Sequence, residues 1–497
     1  MQEPPDVIPG TDIHPGNASV AGLRQALESG ATTSAGLTSF YLGRIRRLDP
    51  ELNSVLTVSP DAAQQAQASD EARAAGQPRG PLEGIPVLVK DNIQVAGMPA
   101  TAGSPALLEA ESRDAFCVTR LRQAGAVIIG KANLSEWANF RSTHSTSGWS
   151  TLGGQVANPR GPGRNPSGSS SGSAAAVAAG LAPLAVGTET DGSIVCPSSA
   201  CGIVGIKPTT GLVSRSGIVP VSLAQDTAGP MAASVADAAA LLSALAAPDP
   251  DDPAPVRHPA DDYPACLDPA ALAGARLGVW RAVSAEAGAT TNAILDAAVA
   301  LLREVGATVL DPVELPGTGK IWDAEYTALL HEFKRDLNAY LAGLAGDRHP
   351  ATLTEVIAFN QRNAGRVLAR FGQEIFEQAD SCSGDPAGPE LAEARGAATS
   401  LARGALDQPL TESRLDAVIA LTANPAWLTD YVLGDHNVFN SSMPGAAAGY
   451  PSVTVPAGAV SGLPVGLSFI GPAWSEPRLI ALAYAFEQAG LAQPAGG

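Results

Sequence analysis

Three groups of residues have the types and spacing to do chemistry on a carbonyl. The first is the turn Gly187-Thr-Glu-Thr-Asp-Gly-Ser193, which follows apolar Leu184–Val186 and precedes apolar Ile194-Val195. Successive backbone N–H groups in such a turn can converge on one point and hold an oxyanion. A serine at its end, Ser193, is placed to attack the carbonyl whose oxygen the turn holds. Serine is a weak nucleophile and needs a base. The six histidines (His14, His144, His258, His331, His349 and His436) sit in no motif that marks a general base. Lys90 closes the apolar run Gly84-Ile-Pro-Val-Leu-Val-Lys90 and precedes Asp91-Asn92. A lysine desolvated there loses its charge readily and becomes a competent base. Taken alone, it reads equally as a snorkelling or salt-bridged lysine.

The third group is Ser167-Gly-Ser169-Ser-Ser-Gly-Ser173, at the end of a loop that begins near Arg141. Loops longer than about 12–15 residues inside a domain are functional or disordered more often than not. A flexible Gly/Ser linker has the same composition. Here, however, an apolar helix pattern (Ser173–Gly180) and a strand pattern follow at once. Gly168-Ser-Ser170-Ser-Gly172 also spells G-x-S-x-G, which at a strand-to-helix elbow would make Ser170 the nucleophile. The preceding Arg160-Gly-Pro-Gly-Arg-Asn-Pro166 is no strand, so that context is missing. Cys196 lies three residues after Ser193, in what reads as a strand, and is expected to be a packed thiol.

The elements that must position these residues alternate between helix and short apolar strand, which predicts an α/β layered fold. Helical spacing runs through 17–49 and 60–75, Val118–Ala124 is helical, and Ala126–Gly130 reads as strand. A helical segment spans about 290–405. Strands return at Ala417–Leu421, Ser452–Pro456 and Val465–Ile470, and a helix covers 477–489. The Pro- and Asp-rich stretch 245–262 looks like a linker. One large domain over 1–497 is nevertheless expected, because the short C-terminal strands need a sheet to join.

Bulk properties narrow the function. The chain has 497 residues, 45% hydrophobic and 16% charged, with 31 basic against 49 acidic residues and a net charge of -18. That balance speaks against a nucleic-acid partner, which clustered Lys and Arg would mark. No apolar run approaches the ~20 residues of a membrane span, so no membrane partner is expected. The start, MQEPPDVIPG, lacks a basic and apolar leader. The expectation is a soluble monomer, either cytoplasmic or a secreted or periplasmic mature form whose leader was removed. The five cysteines (Cys117, Cys196, Cys201, Cys266 and Cys382) suit no zinc site, and there is no phosphate-binding Gly loop, so no cofactor or metal is expected. Glu136 and Trp137 read either as cleft residues or as a structural helix face, and Asp226 as a cap on turns near the site.

Several motifs together resemble the amidase signature family. They are Gly84-Ile-Pro-x-x-x-Lys90-Asp, Gly168-Ser169-Ser170-x-Gly172 and Thr190-Asp-Gly-Ser193-Ile-x-x-Pro197. Further matches are Gly130-Lys-x-Asn133-x-x-Glu136, Gly202-x-x-Gly205-x-Lys207-Pro-Thr209, Asp226-Thr-x-Gly229-Pro230 and Gly462-Leu-Pro-x-Gly466-Leu. The resemblance runs from about residue 18 to the C-terminus. It implies a three-layer α/β/α domain around a central mixed, mostly parallel sheet, with a signature core at about 80–235, a helical insertion at about 290–405 and C-terminal strands at 415–490 completing the sheet. It also implies a Ser-Ser-Lys triad with Ser193 as nucleophile, Ser169 as bridging serine after a cis peptide, and Lys90 as base. The family's bridging serine lies 24 residues before its nucleophile, which selects Ser169 from its run. The N–H groups of Thr190, Asp191, Gly192 and Ser193 would form the oxyanion hole.

Within that family, Ser135-Glu-Trp-Ala-Asn-Phe-Arg141, Ser147-Gly-Trp-Ser150, Glu189–Pro197, Glu332-Phe-Lys334, Ala358-Phe-Asn-Gln361 and Trp474-Ser-Glu-Pro477 resemble members that deamidate the C-terminal carboxamide of peptides. Those members share the departures at Ser171, Ser173 and Val195, where the wider family has Gly, Gly and commonly Arg. The implied substrate is a small peptide amide. A broader aryl or aliphatic amidase, and the catalytic component of a tRNA-dependent amidotransferase, share the same triad.

Overall fold

The apolar runs assemble into one sheet of eleven strands. This is seen in a computed structural model, which describes residues 6–254, 262–385 and 388–492. The strands are β1 (Val55–Val58), β2 (Pro86–Lys90), β3 (Val127–Ala132), β4 (Leu184–Glu189), β5 (Val204–Lys207), β6 (Thr227–Ala232), β7 (Arg276–Val279), β8 (Thr308–Leu310), β9 (Ala417–Leu421), β10 (Ser452–Val460) and β11 (Leu463–Ile470). Their order is β1-β3-β2-β4-β6-β5-β10-β11-β9-β7-β8.

The sheet is mixed, as expected, but parallel pairs do not predominate. β3–β2, β2–β4, β9–β7 and β7–β8 are parallel. The pairs β1–β3, β4–β6, β6–β5, β5–β10, β10–β11 and β11–β9 are antiparallel. Connection chemistry accounts for much of this. Parallel neighbours need a crossover of a dozen or more residues, whereas a tight turn gives an antiparallel pair. Helices Phe116–Gln123, Ser171–Ala178 and Ala289–Glu304 supply crossovers from β2 to β3, β3 to β4 and β7 to β8. β10 and β11 are joined only by the turn at Ser461-Gly462.

Layers lie on both faces of the sheet. Successive strand residues point to opposite faces, and β9 divides accordingly. Ala417, Ile419 and Leu421 pack in a cluster with Leu479, Leu482 and Phe486 of helix Glu476–Ala492. Val418 and Ala420 pack with Ala402, Ala405 and Leu406 of helix Pro389–Glu412. β2 is buried along its whole length, and a near-continuous apolar run is what a strand covered on both faces requires.

The chain departs from these expectations in a few places. The expected helix over 17–49 is two helices, Val20–Glu28 and Ser34–Leu52, broken at Gly30, whose φ is +73°. Cys196 lies in helix Val195–Cys201 rather than a strand. The helical segment 290–405 also carries β8. Of the expected linker 245–262, residues 255–261 lie outside the described residues. Its first part is pinned to the loop after β5, where Ser214 donates to Asp249 and Arg215 pairs with Asp252. The β5–β10 pair carries the sheet from the first half of the chain into the second. Among the described residues, no helix is long and apolar enough to cross a membrane.

Candidate active site

β2 delivers Lys90 into the interior, where the side chain is fully buried. Its Nζ lies 2.7 Å from Ser169 Oγ, 2.9 Å from Thr188 Oγ1 and 3.1 Å from the Thr188 carbonyl. Thr188 sits on the neighbouring parallel strand β4, so the sheet itself sets two of the three contacts. Thr188 Oγ1 also accepts from Asn92 Nδ2 at 3.0 Å. Burial pushes the Lys90 pKa from 10.5 down to about 7, against the opposing pull of the Asp226 and Glu189 carboxylates.

The serine-rich run is rigid structure rather than linker. Small residues let helix Ser171–Ala178 bury nearly all of itself. A Cβ at Gly172 would lie 2.3 Å from the Ser54 carbonyl and 2.4 Å from that of Asn133, so the close approach requires glycine. The hydroxyls of Ser170, Ser171 and Ser173 donate to the carbonyls of Thr188 (3.0 Å), Ser167 (2.6 Å) and Val186 (3.2 Å). Ser169, which follows a cis Gly168–Ser169 peptide, is the member of the run whose hydroxyl meets the lysine. The Ser170 N–H donates to the Ser193 carbonyl at 3.1 Å, tying the run to the turn.

Ser193 ends that turn and is 8% exposed. The turn is shaped by Gly192, whose φ is +79°. A Cβ there would come within 2.9 Å of Cys196 Sγ and Ser442 Oγ. Glu189 Oε2 accepts from the N–H groups of Ile194 (2.7 Å) and Val195 (3.0 Å), which starts the helix. None of the described residues accepts from the N–H groups of Asp191, Gly192 or Ser193. Asp226 takes the N–H groups of Val221 and Ser222 and the Thr190 hydroxyl, the turn-capping role its position suggested. Asp191 accepts from Ser442 Oγ, and burial, with the Glu189 charge added, raises its pKa to about 6.

Gly168, Thr190, Asp191, Gly192 and Ser193 all face one cleft of about 430 Å³. Part of its lining is apolar: Trp322 stacks on Tyr326 and Phe140 packs edge-on to Tyr326, and Leu329 and Ile375 also line the cleft. The charged side chains in the lining are acidic, Asp191 and Asp435, and the lining contains no Lys, Arg or His. Glu136 and Trp137 do not line it. Glu136 is buried against Arg141, and Trp137 packs on Phe376. Residue type does not mark Thr188 or Ser442 as site residues, and Glu189 is marked only as a member of the motif Glu189–Pro197.

Comparison with known proteins fits this arrangement. The family model described as Amidase matches residues 36–480. A solved peptide amidase, PAM, in complex with the competitive inhibitor chymostatin, is 48% identical, with a TM-score of 0.92 over 96% of this chain and 98% of that one. A probable amidase of Arabidopsis thaliana is 40% identical over 489 residues, covering 95% of this chain and 90% of the relative. A glutamyl-tRNA(Gln) amidotransferase subunit from an Azoarcus species is 34% identical over 512 residues, covering 95% and 98%. The chain therefore belongs to the amidase signature family and is a serine-type amidase, a hydrolase of C–N bonds.

Proposed function

We propose that the chain hydrolyses the C-terminal carboxamide of peptides to the free acid and ammonia, through an acyl-enzyme on Ser193. The observation that carries the reading is the 2.7 Å contact between buried Lys90 and Ser169, beside the turn that ends in Ser193. Neutral Lys90 takes the Ser169 proton as Ser169 takes that of Ser193. The Ser193 oxygen attacks the amide carbon, and the new oxyanion is held by N–H groups of Thr190, Asp191, Gly192 and Ser193. The relay then runs backward. The C–N bond breaks as the nitrogen receives the proton, ammonia leaves, and water enters by the same route to release the acid.

The charge of the cleft supports a carboxamide end. With acidic and no basic side chains in the lining, no cationic side chain there would pair with a free terminal carboxylate. A neutral amide enters without that penalty, and the anionic product is repelled by Asp191 and Asp435. The apolar lining of Trp322, Tyr326 and Ile375 suits the side chain next to the amide. The solved relative that holds chymostatin, a peptide-like inhibitor, supports a peptide over a simple amide.

A substrate panel on the chain alone tests this: peptide amides, internal peptides, free amino-acid amides and anilides. Peptide amides should give the highest kcat/KM. A preference for anilides would favour the broader amidase. Activity that requires a partner protein would favour the amidotransferase role.

A further inference from the structure

One buried side chain behind the turn has all its hydrogen bonds fixed, and it holds the turn by its backbone. Gln225 is 1% exposed. Arg395 NH1 donates to Gln225 Oε1 at 2.8 Å. A guanidinium can only donate, so this contact fixes which end of the amide is oxygen. The NH2 end then donates twice, to the Thr190 carbonyl at 3.0 Å and to Glu325 Oε1. Arg395 is itself held by a two-point pair with Glu332, which also accepts from Ser222 Oγ at 2.6 Å. Glu325 and Glu332 lie on helix Ile321–Ala342, and Arg395 lies on helix Pro389–Glu412.

The consequence follows from peptide planarity. In a trans peptide the carbonyl and the next N–H point in opposite directions. Holding the Thr190 carbonyl toward Gln225 turns the Asp191 N–H the other way, toward the cleft that Thr190 and Asp191 line. We infer that Gln225 is a positioning residue that aims the Asp191 N–H at the developing oxyanion, and that the helical segment 290–405 acts on catalysis through it. This rests on the proposal that Ser193 is the nucleophile and its turn the oxyanion hole.

The test compares Gln225→Leu, which cannot hold the carbonyl, and Gln225→Glu, which keeps the size and the Arg395 contact but cannot donate when ionised. Each is assayed for kcat and KM on a short peptide amide. Each is also assayed for inhibition by a peptide aldehyde and by the matching alcohol. The Ser193 O–H adds across the aldehyde carbonyl, giving a tetrahedral adduct whose oxygen sits in the hole, and the alcohol cannot do this. An oxyanion donor is worth about 10²–10³ in kcat, so a mis-aimed one should cost roughly 10–100-fold. KM should change little, as for an interaction made only in the transition state. The ratio of alcohol to aldehyde inhibition constants should fall by the same factor. That ratio is read on folded protein alone, so partial misfolding cannot mimic it. A lower kcat with an unchanged ratio, or an unchanged kcat, overturns the inference. Ser193→Ala separates the two readings. If it keeps its rate, the proposed function itself fails. If it is dead while both Gln225 variants are unimpaired, only the positioning role fails.

Discussion

Lys90 should set the acid limb of the pH profile. Its pKa falls from 10.5 to about 7 because the side chain is wholly buried. That change corresponds to about 5 kcal/mol of lost ammonium stabilisation. At pH 7 about half of Lys90 is then a free amine, against roughly one in three thousand for a lysine in water. The protonated form cannot accept from Ser169, so kcat/KM on a peptide amide should fall as pH drops through about 7, tenfold per unit below it. The identity of the titrating group is tested by its neighbours. Asp226 and Glu189 both favour the ammonium. Asp226→Asn removes one of those charges, so the Lys90 pKa should drop further and the limb should move to lower pH. Asparagine can still accept from Val221 and Ser222, which keeps the turn capped. A limb that stays in place in Asp226→Asn, or that vanishes in a histidine variant, would refute a lysine base.

Two further outcomes follow from the same geometry. Gly192→Ala forces a Cβ onto a residue with φ of +79° and to within 2.9 Å of Cys196 and Ser442. It should cost about 1–2 kcal/mol in chemical unfolding and about 100-fold or more in kcat, and an unimpaired kcat would show that the turn's shape is not needed. Burial, with the Asp191 charge added, raises the Glu325 pKa from 4.5 to about 8. The folded state then holds this proton where the unfolded state has lost it, so the group's contribution is intact below about 4.5 and disappears as pH rises through about 8. Glu325→Gln should therefore raise the melting temperature at pH 9 far more than at pH 5, and a pH-independent difference would contradict the burial argument.

The candidate site is more legible in the sequence than the scaffold. Ser193 stands out by the turn it ends and Lys90 by the apolar run it closes, whereas only the family resemblance, in which the bridging serine lies 24 residues before the nucleophile, singles out Ser169. Its neighbours differ from it in what their hydroxyls touch, the carbonyls of Thr188, Ser167 and Val186, which composition cannot show. β6 carries no strand signature, because Thr227-Ala-Gly-Pro-Met-Ala is poor in β-branched and aromatic residues. It is a strand because β4 and β5 pair with it on both sides. Ile194-Val-Cys-Pro197 reads as extended and is the start of a helix. Pro197 falls in the first turn, where a missing N–H costs nothing, and Glu189 caps the N–H groups of Ile194 and Val195. Gln225, Glu325 and Arg395 come from distant parts of the chain, and only the packing of two helices behind the turn brings them together.

The most direct measurement is ammonia release from a short peptide amide by the native chain and by Ser193→Ala, with the enzyme's mass read during turnover. The native chain should release one ammonia per peptide acid formed and show a transient mass increase equal to the peptide acyl group. Ser193→Ala should show neither. Ammonia release at most of the native rate by Ser193→Ala, or an acyl group on any other residue, would contradict the assignment of Ser193 as nucleophile.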